Sequence, residues 1–317
     1  MKRLLITCSV VLFFLFLGVL IIRNTKGNSN QEFTIGIENG TIYEELGEDL
    51  PKVKLLRGFH DIHSEFHALA SRQVDAVITD RLVGLREIQK KDYNDILPTG
   101  QFHFREEKAV AVRKSADSLR QMLNRGLAEL IKSGKFATIS KFYFGCNIGS
   151  DIADAGKLER ESHRESVGND GSWEAVKRKD WILLAFDTNN PPFSYYNAHH
   201  VFTGFDVEIA RELCHQLGIK HFLPIPMGGE QMMAGLRAGI YDGVWGGIPL
   251  NAITEVGFSF TNPYCISGAQ LFVRKDSKIT GFATLGRKMP SEPPMGGGFI
   301  NKEYSDEFNK TKFEKIP

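Results

Sequence analysis

The sequence has almost no excess charge of either sign and few cysteines. Lys and Arg number 39 against 38 Asp and Glu, which gives a formal net charge of +1. No basic patch predicts nucleic-acid binding, and no acidic tail predicts a disordered interaction segment. Its 4 cysteines contain no Cys-x-x-Cys pair, so a structural zinc site is not supported. We therefore expect no nucleic-acid partner, no metal and no cofactor.

Long hydrophobic runs are also absent, except at the N-terminus. The run Leu4–Ile22 follows Lys2 and Arg3 and just reaches the ~20 residues that span a bilayer. It ends without the small-residue site of a cleaved signal peptide, which favours an uncleaved anchor. A cleaved signal and a buried soluble helix are the alternatives. Either of the first two interpretations predicts export, to the periplasm or another extracytoplasmic space, with residues 4–22 as the membrane partner.

Export would place three cysteines in an oxidising compartment, where disulfides are possible. These are Cys146, Cys214 and Cys265, and their odd number leaves at least one without an intramolecular partner. Cys214 falls on a helical pattern, so we expect it in the core. The pairing of the others stays open.

Beyond the N-terminal run, strands and helices alternate in two blocks, which predicts an α/β fold with largely parallel sheets. We predict seven segments: a membrane anchor or signal (1–23), a tether (24–32), a first α/β block (33–113), two amphipathic helices (114–147), a charged linker (148–180), a second α/β block (181–289) and a weakly ordered tail (290–317).

One short pattern occurs in both blocks. "SRQVDAVITD" and "RAGIYDGVWGG" each place a helix end, a short loop, an Asp and an apolar strand in the same order. Asp75 and Asp242 are equivalent in this pattern, and we predict that each holds the loop at a strand start. The repetition predicts two similar lobes.

Several motifs of the second block occur together in a known order. They are Pro191-Pro192-Phe193, Gly204-Phe205-Asp206-Val207-Glu208, Asp242 and Phe260-Thr261-Asn262-Pro263-Tyr264. With these motifs the block resembles the first lobe of the periplasmic solute-binding proteins of polar amino-acid ABC transporters (family 3). The resemblance implies a two-lobed type II periplasmic binding protein fold, with a hinge and a ligand cleft between the lobes.

The first block resembles the second lobe of that family, through "ENGTIYEEL" and "VDAVITD". Residues 114–145 resemble the helices that close the family's fold by packing on lobe one. Here lobe two (33–113) and the closing helices (114–147) precede lobe one, so we predict one domain whose parts are circularly permuted. "AVAVR" and "QLFVR" would then be the two hinge strands. The rival interpretation is a fragment of a tandem array with half of each of two copies.

The resemblance also implies a set of ligand-binding residues. In lobe two, Thr41 and the free backbone N–H groups after Gly40 suit a ligand carboxylate. Asp80 suits the ligand's amino group, although it is also placed to cap its own helix. In lobe one we expect the pocket to be lined by Asp187, Phe193, Tyr195, Trp245, Gly247 and Thr254. Tyr195 and Trp245 are equally typical of core aromatics.

The chain departs from the family at four of these positions. Thr254 stands where a bidentate Arg holds the ligand carboxylate, and Asn190 stands where an aromatic platform is expected. Pro249 replaces a hydroxyl residue in lobe one, and Ile42 replaces one in lobe two. These departures disfavour binding of an ordinary α-amino acid.

We predict a monomeric, non-enzymatic receptor for a small polar, amino-acid-like solute, with an ABC transporter permease or a sensor as its downstream partner. Two alternatives remain. One is a diverged module that binds no solute and mediates interactions. The other is an enzyme resembling cyclohexadienyl dehydratase, which the lack of a cleft Arg disfavours.

Overall fold

Two five-stranded β-sheets organise the protein. The structure is a computed structural model, and it describes residues 31–152, 169–246 and 257–287. The elements before the linker are β1 (Phe33–Glu38), α1 (Tyr43–Glu48), β2 (Val53–Phe59), α2 (Ile62–Ala70), β3 (Ala76–Asp80), α3 (Arg81–Glu87), β4 (Ile96–Lys108), β5 (Ala111–Arg113), α4 (Asp117–Lys132) and α5 (Lys135–Phe144).

The elements that follow begin inside the predicted linker. They are α6 (Ser172–Lys179), β6 (Trp181–Asp187), β7 (Asn189–Asn190), β8 (Ser194–Tyr196), β9 (Phe202–Thr203), α7 (Phe205–Gln216), β10 (His221–Met227), α8 (Gly229–Arg237), β11 (Gly243–Trp245), β12 (Phe258–Phe260) and β13 (Cys265–Arg274). Short 3-10 turns occur at Lys91–Tyr93, Ile148–Asp151 and Phe282–Leu285.

The two sheets have the same strand arrangement. The first has the order β2-β1-β3-β13-β4 and the second has the order β10-β6-β11-β5-β12. In each sheet the first three strands are parallel, and the fourth runs antiparallel to both of its neighbours. In each sheet that fourth strand comes from the other block of the sequence: β13 enters the first sheet and β5 enters the second. The predicted α/β fold with two lobes is confirmed.

The repeated Asp pattern makes the same contacts in both lobes. The Asp75 carboxylate accepts a hydrogen bond from the Thr34 N–H at 2.8 Å, and the Asp75 N–H donates to the Thr34 carbonyl at 2.7 Å. The Asp242 carboxylate accepts from the Leu183 N–H at 2.9 Å, and its N–H donates to the Leu183 carbonyl at 2.8 Å. Each Asp therefore ties the loop before one strand to the start of the neighbouring strand, as predicted.

The helices α4 and α5 pack on lobe one. Along α4 the apolar residues Leu119, Leu123, Leu127 and Leu130 recur at helical spacing and are buried. Gly126 allows the close approach of α7, because a Cβ there would lie 2.9 Å from Cγ of Leu213.

Part of the predicted linker is folded. Trp173 and Val176 of α6 are buried in the main core. Asp170 accepts hydrogen bonds from the backbone N–H groups of Ser118 at 2.9 Å and Ser172 at 2.8 Å, which joins α6 to the start of α4. The high charge of residues 148–180 predicts a solvated linker. One apolar face is nevertheless enough to anchor a short helix such as α6 on the core.

Within the ranges that the structure describes, no helix is both long enough and apolar enough to cross a membrane. The predicted membrane segment (1–23) and the tail (290–317) lie outside the described residues, as does residue range 153–168 of the linker. Among the residues that the structure describes, Cys146, Cys214 and Cys265 form no disulfide with one another and all three are buried, and Cys214 lies in the core as predicted.

Candidate functional site

The two lobes meet where the chain crosses between the sheets. One crossing follows β4 at Lys108 and the other precedes β13, and backbone bonds join them. The Tyr264 N–H donates to the Lys108 carbonyl at 3.0 Å, and the Thr261 N–H donates to the Val110 carbonyl at 3.0 Å. The Val110 N–H donates to the Thr261 hydroxyl oxygen at 2.9 Å. The two crossing segments thus support each other.

The predicted site residues follow the carboxyl ends of parallel strands in both lobes. Glu38 ends β1 just before Gly40 and Thr41, and Asp80 ends β3. In lobe one, Asp187 ends β6. Ligands of open α/β sheets bind outside the carboxyl ends of the strands, so this placement suits a site between the lobes. Gly247 and Thr254 follow β11 but lie outside the described residues.

Asp80 acts as the N-cap of α3. Its Oδ1 accepts hydrogen bonds from the backbone N–H groups of Leu82 at 2.8 Å and Val83 at 3.0 Å. Its Oδ2 accepts from the Ser267 hydroxyl of β13 at 2.7 Å. The carboxylate is therefore held in place on both oxygens. Contact between Asp80 and a ligand stays a prediction. The hydrogen bonds described here would hold the carboxylate in one orientation for such a contact.

Gly40 and Thr41 form the turn between β1 and α1. Gly40 has a φ of +73°, in the region that favours glycine. The Thr41 hydroxyl donates to the Glu38 carbonyl at 2.7 Å, so its oxygen lone pairs remain available as acceptors. Ile42, at the N-cap of α1, makes no side-chain cap and is strongly exposed. Carboxylate binding at this turn stays a prediction.

The predicted pocket residues of lobe one differ in exposure. Phe193 is buried, with its ring between Lys108 and Phe144. Tyr195 lies in the β7-β8-β9 hairpin and is half-buried. Asp187 is also half-buried, and its Oδ1 accepts from the Asn189 N–H at 3.0 Å. Trp245 is buried and stacks on Phe186. Of the two positions that the sequence allowed for Trp245, it therefore occupies the one in the core.

Three polar residues at the lobe junction were not predicted as site residues. Asp206 is completely buried, and its Oδ2 accepts a hydrogen bond from the Tyr264 hydroxyl at 2.9 Å. Burial raises the pKa of Asp206 to about 6, although Lys108 and the bond from Tyr264 act against the rise. Asp206 lies in the motif Gly204–Glu208, and Tyr264 ends the motif Phe260–Tyr264. The sequence therefore pointed to both residues but did not reveal their role.

Lys108 is the third unpredicted residue and the basic group of the junction. Its ammonium nitrogen lies 3.6 Å from the centre of the Phe193 ring. Burial lowers the pKa of Lys108, but the nearby carboxylates of Asp80 and Asp206 contribute to a larger opposite effect, and the pKa is raised. Lys108 therefore carries its charge between an acid of lobe two and an acid of lobe one. No sequence motif pointed to it.

Comparison with known proteins gives a match to the second block. Residues 182–315 match the family described as bacterial extracellular solute-binding proteins, family 3. The L-cystine-binding protein TcyJ of Escherichia coli (strain K12) is 31% identical over 115 residues, which cover 36% of this chain and 42% of TcyJ. The probable ABC transporter extracellular-binding protein YckB of Bacillus subtilis (strain 168) is 32% identical over 124 residues, covering 38% of this chain and 42% of YckB.

The chain thus matches less than half the length of these curated relatives. One similar solved structure is that of the probable amino-acid ABC transporter extracellular-binding protein YtmK from Bacillus subtilis. The match covers 89% of this chain and 90% of the YtmK chain, with 10% sequence identity and a TM-score of 0.39.

Proposed function

We propose that the chain is an extracytoplasmic solute-binding protein, because residues 182–315 match the family of bacterial extracellular solute-binding proteins, family 3. It captures a small polar, amino-acid-like solute between its two lobes. The observation that carries this proposal is the convergence of β1, β3 and β6 on the lobe junction. Asp80 ends β3 and Asp187 ends β6, and ligands of open α/β sheets bind outside the carboxyl ends of the strands.

The exchange of β5 and β13 between the sheets supports a single cleft within one chain. A five-stranded sheet in each lobe needs a strand from the other block, so neither block completes its sheet alone. We propose that the chain is one permuted domain and a monomer. The predicted lobe bounds (33–113 and 181–289) shift at the exchanged strands: β5 (Ala111–Arg113) joins the sheet of lobe one, and β13 (Cys265–Arg274), which contains the predicted hinge strand "QLFVR", joins the sheet of lobe two. A tandem fragment would leave this complementarity unexplained. Light scattering in solution and one ligand per chain in calorimetry would test the proposal, and a dimer sharing two sites would contradict it.

We propose delivery to an ABC transporter permease, or signalling through a sensor, as the role of the bound state. The names of the relatives support this, since TcyJ is described as cystine-binding and YckB as an ABC transporter protein. Residues 4–22 would hold the chain at the membrane. Cell fractionation with an epitope-tagged chain would test the location: recovery in the cytoplasm would contradict it.

A solute screen tests the binding function itself. The purified chain would be melted with each of the amino acids, cystine, polyamines and small organic acids, and any solute that raises the midpoint would be confirmed by calorimetry. Saturation at a hundredfold excess over Kd should stabilise the fold by about 2.7 kcal/mol. A chain that melts identically with every solute would favour the diverged interaction module, to which Ile42 and Thr254 point.

We propose that the chain is not an enzyme. TcyJ and YckB are both described as binding proteins, and Thr254 stands where the resemblance places a ligand-binding Arg. Incubation with a cyclic hydroxy acid, followed by a product assay, would contradict this if an aromatic product accumulated.

A further inference from the structure

Helix α5 is fixed to lobe one by aromatic packing. The ring centres of Phe136 and Phe144 lie 5.8 Å and 4.9 Å from that of Phe205, the first residue of α7. All three side chains are buried, and both ring pairs have the edge-to-face arrangement that aromatic rings prefer. Since α7 belongs to lobe one, α5 and lobe one form a single packed unit.

The 3-10 turn Ile148–Asp151 is joined to α5 by a buried hydroxyl group. Ser140 of α5 is 0% exposed, and its hydroxyl donates to the Cys146 carbonyl at 2.7 Å. The same hydroxyl oxygen accepts a hydrogen bond from the Ile148 N–H at 2.8 Å. A buried polar group is costly to leave without its hydrogen bonds, so these contacts persist. The turn, with Asp151 at its end, is therefore held to the unit that α5 forms with lobe one.

Asp151 nevertheless forms a buried ion pair with lobe two. Its Oδ2 lies 2.6 Å from Nη2 of Arg81, the first residue of α3, and the two side chains are 9% and 1% exposed. Arg81 also donates to the Ile266 carbonyl of β13 at 3.3 Å, and its guanidinium lies 5.0 Å from the centre of the Phe102 ring of β4. Because β13 and β4 belong to the sheet of lobe two, lobe two positions the Arg81 side chain while a carboxylate of the lobe-one unit compensates its charge.

Two weaker bonds cross the same boundary. Arg86 of α3 donates to the Phe142 carbonyl at 3.3 Å, and Gln89, just after α3, donates to the Phe144 carbonyl at 3.4 Å. The last carbonyls of a helix lack partners within that helix, so donors from α3 suit the end of α5. Gly145 allows the close approach, because a Cβ there would lie 2.3 Å from Nε2 of Gln89. Helix α3 of lobe two thus contacts the lobe-one unit from its first residue to its end.

The ion pair lies next to the predicted ligand contact Asp80. Asp80 and Arg81 are consecutive, and both bind β13: the Asp80 carboxylate accepts from the Ser267 hydroxyl at 2.7 Å, and Arg81 donates to the Ile266 carbonyl. Asp151 therefore acts on the start of α3, where lobe two meets the cleft.

We propose that the Arg81–Asp151 pair is a latch that holds the two lobes at one angle, so that the cleft opens only when this pair breaks. A hinge motion that carries α3 away from α5 must separate the two charges. Separating a buried pair leaves each charge without its partner, which is strongly unfavourable. The latch is a connection between the lobes in addition to the crossings after Lys108 and before β13. It goes beyond the proposed function, because it concerns lobe motion and requires no solute.

Distances between spin labels on the two lobes test the latch. Lys54→Cys in β2 and Leu223→Cys in β10 place labels at exposed positions on the edge strands that lie farthest from the exchanged strands in each sheet. Cys8→Ser removes the one cysteine outside the described residues, and the other three are buried. The full chain would be unfolded and refolded by dialysis, which removes any co-purified solute, before double electron–electron resonance is measured. The labelled parent should give one narrow distance distribution; two populations would overturn the latch.

Asp151→Asn removes one charge of the pair and keeps the size of the side chain. The labels should then report a second lobe arrangement, whose population relative to the first rises by about a hundredfold or more, on the scale of breaking a buried ion pair. Asp242→Asn is the matched control, because Asp242 and Lys179 form an ion pair of 2.8 Å and similar burial within lobe one. The control should keep the parent's distribution. An unchanged distribution in Asp151→Asn, or an equal change in the control, would overturn the latch.

A second variant decides the question if Asp151→Asn does not refold. Arg86→Met combined with Gln89→Met removes the two weaker bonds, leaves the ion pair intact and keeps the apolar stems of both side chains. The second arrangement should then rise by about tenfold, on the scale of two hydrogen bonds. A distribution identical to that of the parent would overturn the latch.

The outcome for the latch is independent of the outcome for the proposed function. The label distances are measured without solute, so a chain that binds nothing in the solute screen can still show the latch. A chain that binds a solute but has the parent's distance distribution in both variants would keep the proposed function and lose the latch.

Discussion

The ammonium group of Lys108 lies 3.6 Å from the centre of the Phe193 ring. Lys108 ends the last strand of lobe two before the crossing, and Phe193 belongs to the Pro-Pro-Phe motif of lobe one. Both side chains are buried. The contact therefore joins the lobes through a desolvated cation and an aromatic face, and it places positive charge between Asp80 and Asp206.

Replacing Lys108 by Met should destabilise the fold by about 2 kcal/mol, the scale of a desolvated cation–π contact. The loss should be larger at pH 8 than at pH 5. Lys108 lowers the pKa of Asp206, which burial raises to about 6, so without the lysine the charged form of Asp206 is less stable. Urea denaturation at both pH values measures the effect. Lys108→Arg keeps the charge and should lose less; equal losses at both pH values would contradict the electrostatic role.

Asp80 should have two separable roles, and Asn distinguishes them. Asp80→Ala removes the cap on Leu82 and Val83 and should cost about 1 kcal/mol of stability, together with ligand binding. Asp80→Asn retains a capping oxygen, so its stability should stay near that of the parent while binding of an amino group falls. Denaturation and calorimetry on both variants provide the test. If Asp80→Asn binds the ligand as tightly as the parent, Asp80 only caps α3 and does not bind the ligand.

Removing the Tyr264 hydroxyl should destabilise the protein by about 1.5–3 kcal/mol, the range for a hydrogen bond to a charged group. Its partner Asp206 is completely buried and has no other described acceptor bond to replace it. Tyr264→Phe would be compared with Tyr196→Phe, whose side chain is half exposed, by chemical denaturation. The control should change by less than about 0.5 kcal/mol; equal effects in the two variants would contradict the importance of the buried bond.

Glu65 should make stability fall as the pH rises from about 5 to 9. Its pKa is raised from 4.5 to about 9, so in this window the folded state holds a proton that the unfolded state releases. Stability is then lost with rising pH, by at most about 1.4 kcal/mol per pH unit. Glu65→Gln cannot titrate and should be relatively more stable at pH 8 than at pH 5. Parallel stability curves for the variant, the parent and the control Glu48→Gln, whose side chain is exposed, would contradict this.

The fold was predictable where local patterns carry the information. β3 and β6 are short apolar runs, and α4 shows a regular apolar face, so their positions follow from the sequence within two residues. Asp75 and Asp242 were predictable for the same reason, because each acts on a neighbouring strand in its own lobe.

The strand β4 is not predictable from the sequence, because pairing with β13 rather than composition makes it a strand. Pro98 and Gly100 interrupt its pattern, which is typical of a loop. It is nevertheless extended from Ile96 to Lys108, because β13 pairs with it along its length through two register shifts. The preference of a segment for the strand conformation depends on the strands that pair with it, and the sequence does not show which strands these are.

By itself the sequence determined the family motifs, the two similar blocks and most of the helices, since these depend on residues close together in the chain. Only the tertiary structure decided which strands the lobes exchange, that Lys108 lies against Phe193, and that Glu65 is buried without a hydrogen-bond partner among the described residues. These features arise from contacts between distant segments. Their energies depend on desolvation, and a residue's distance from water is set by the packed fold rather than by its neighbours in sequence.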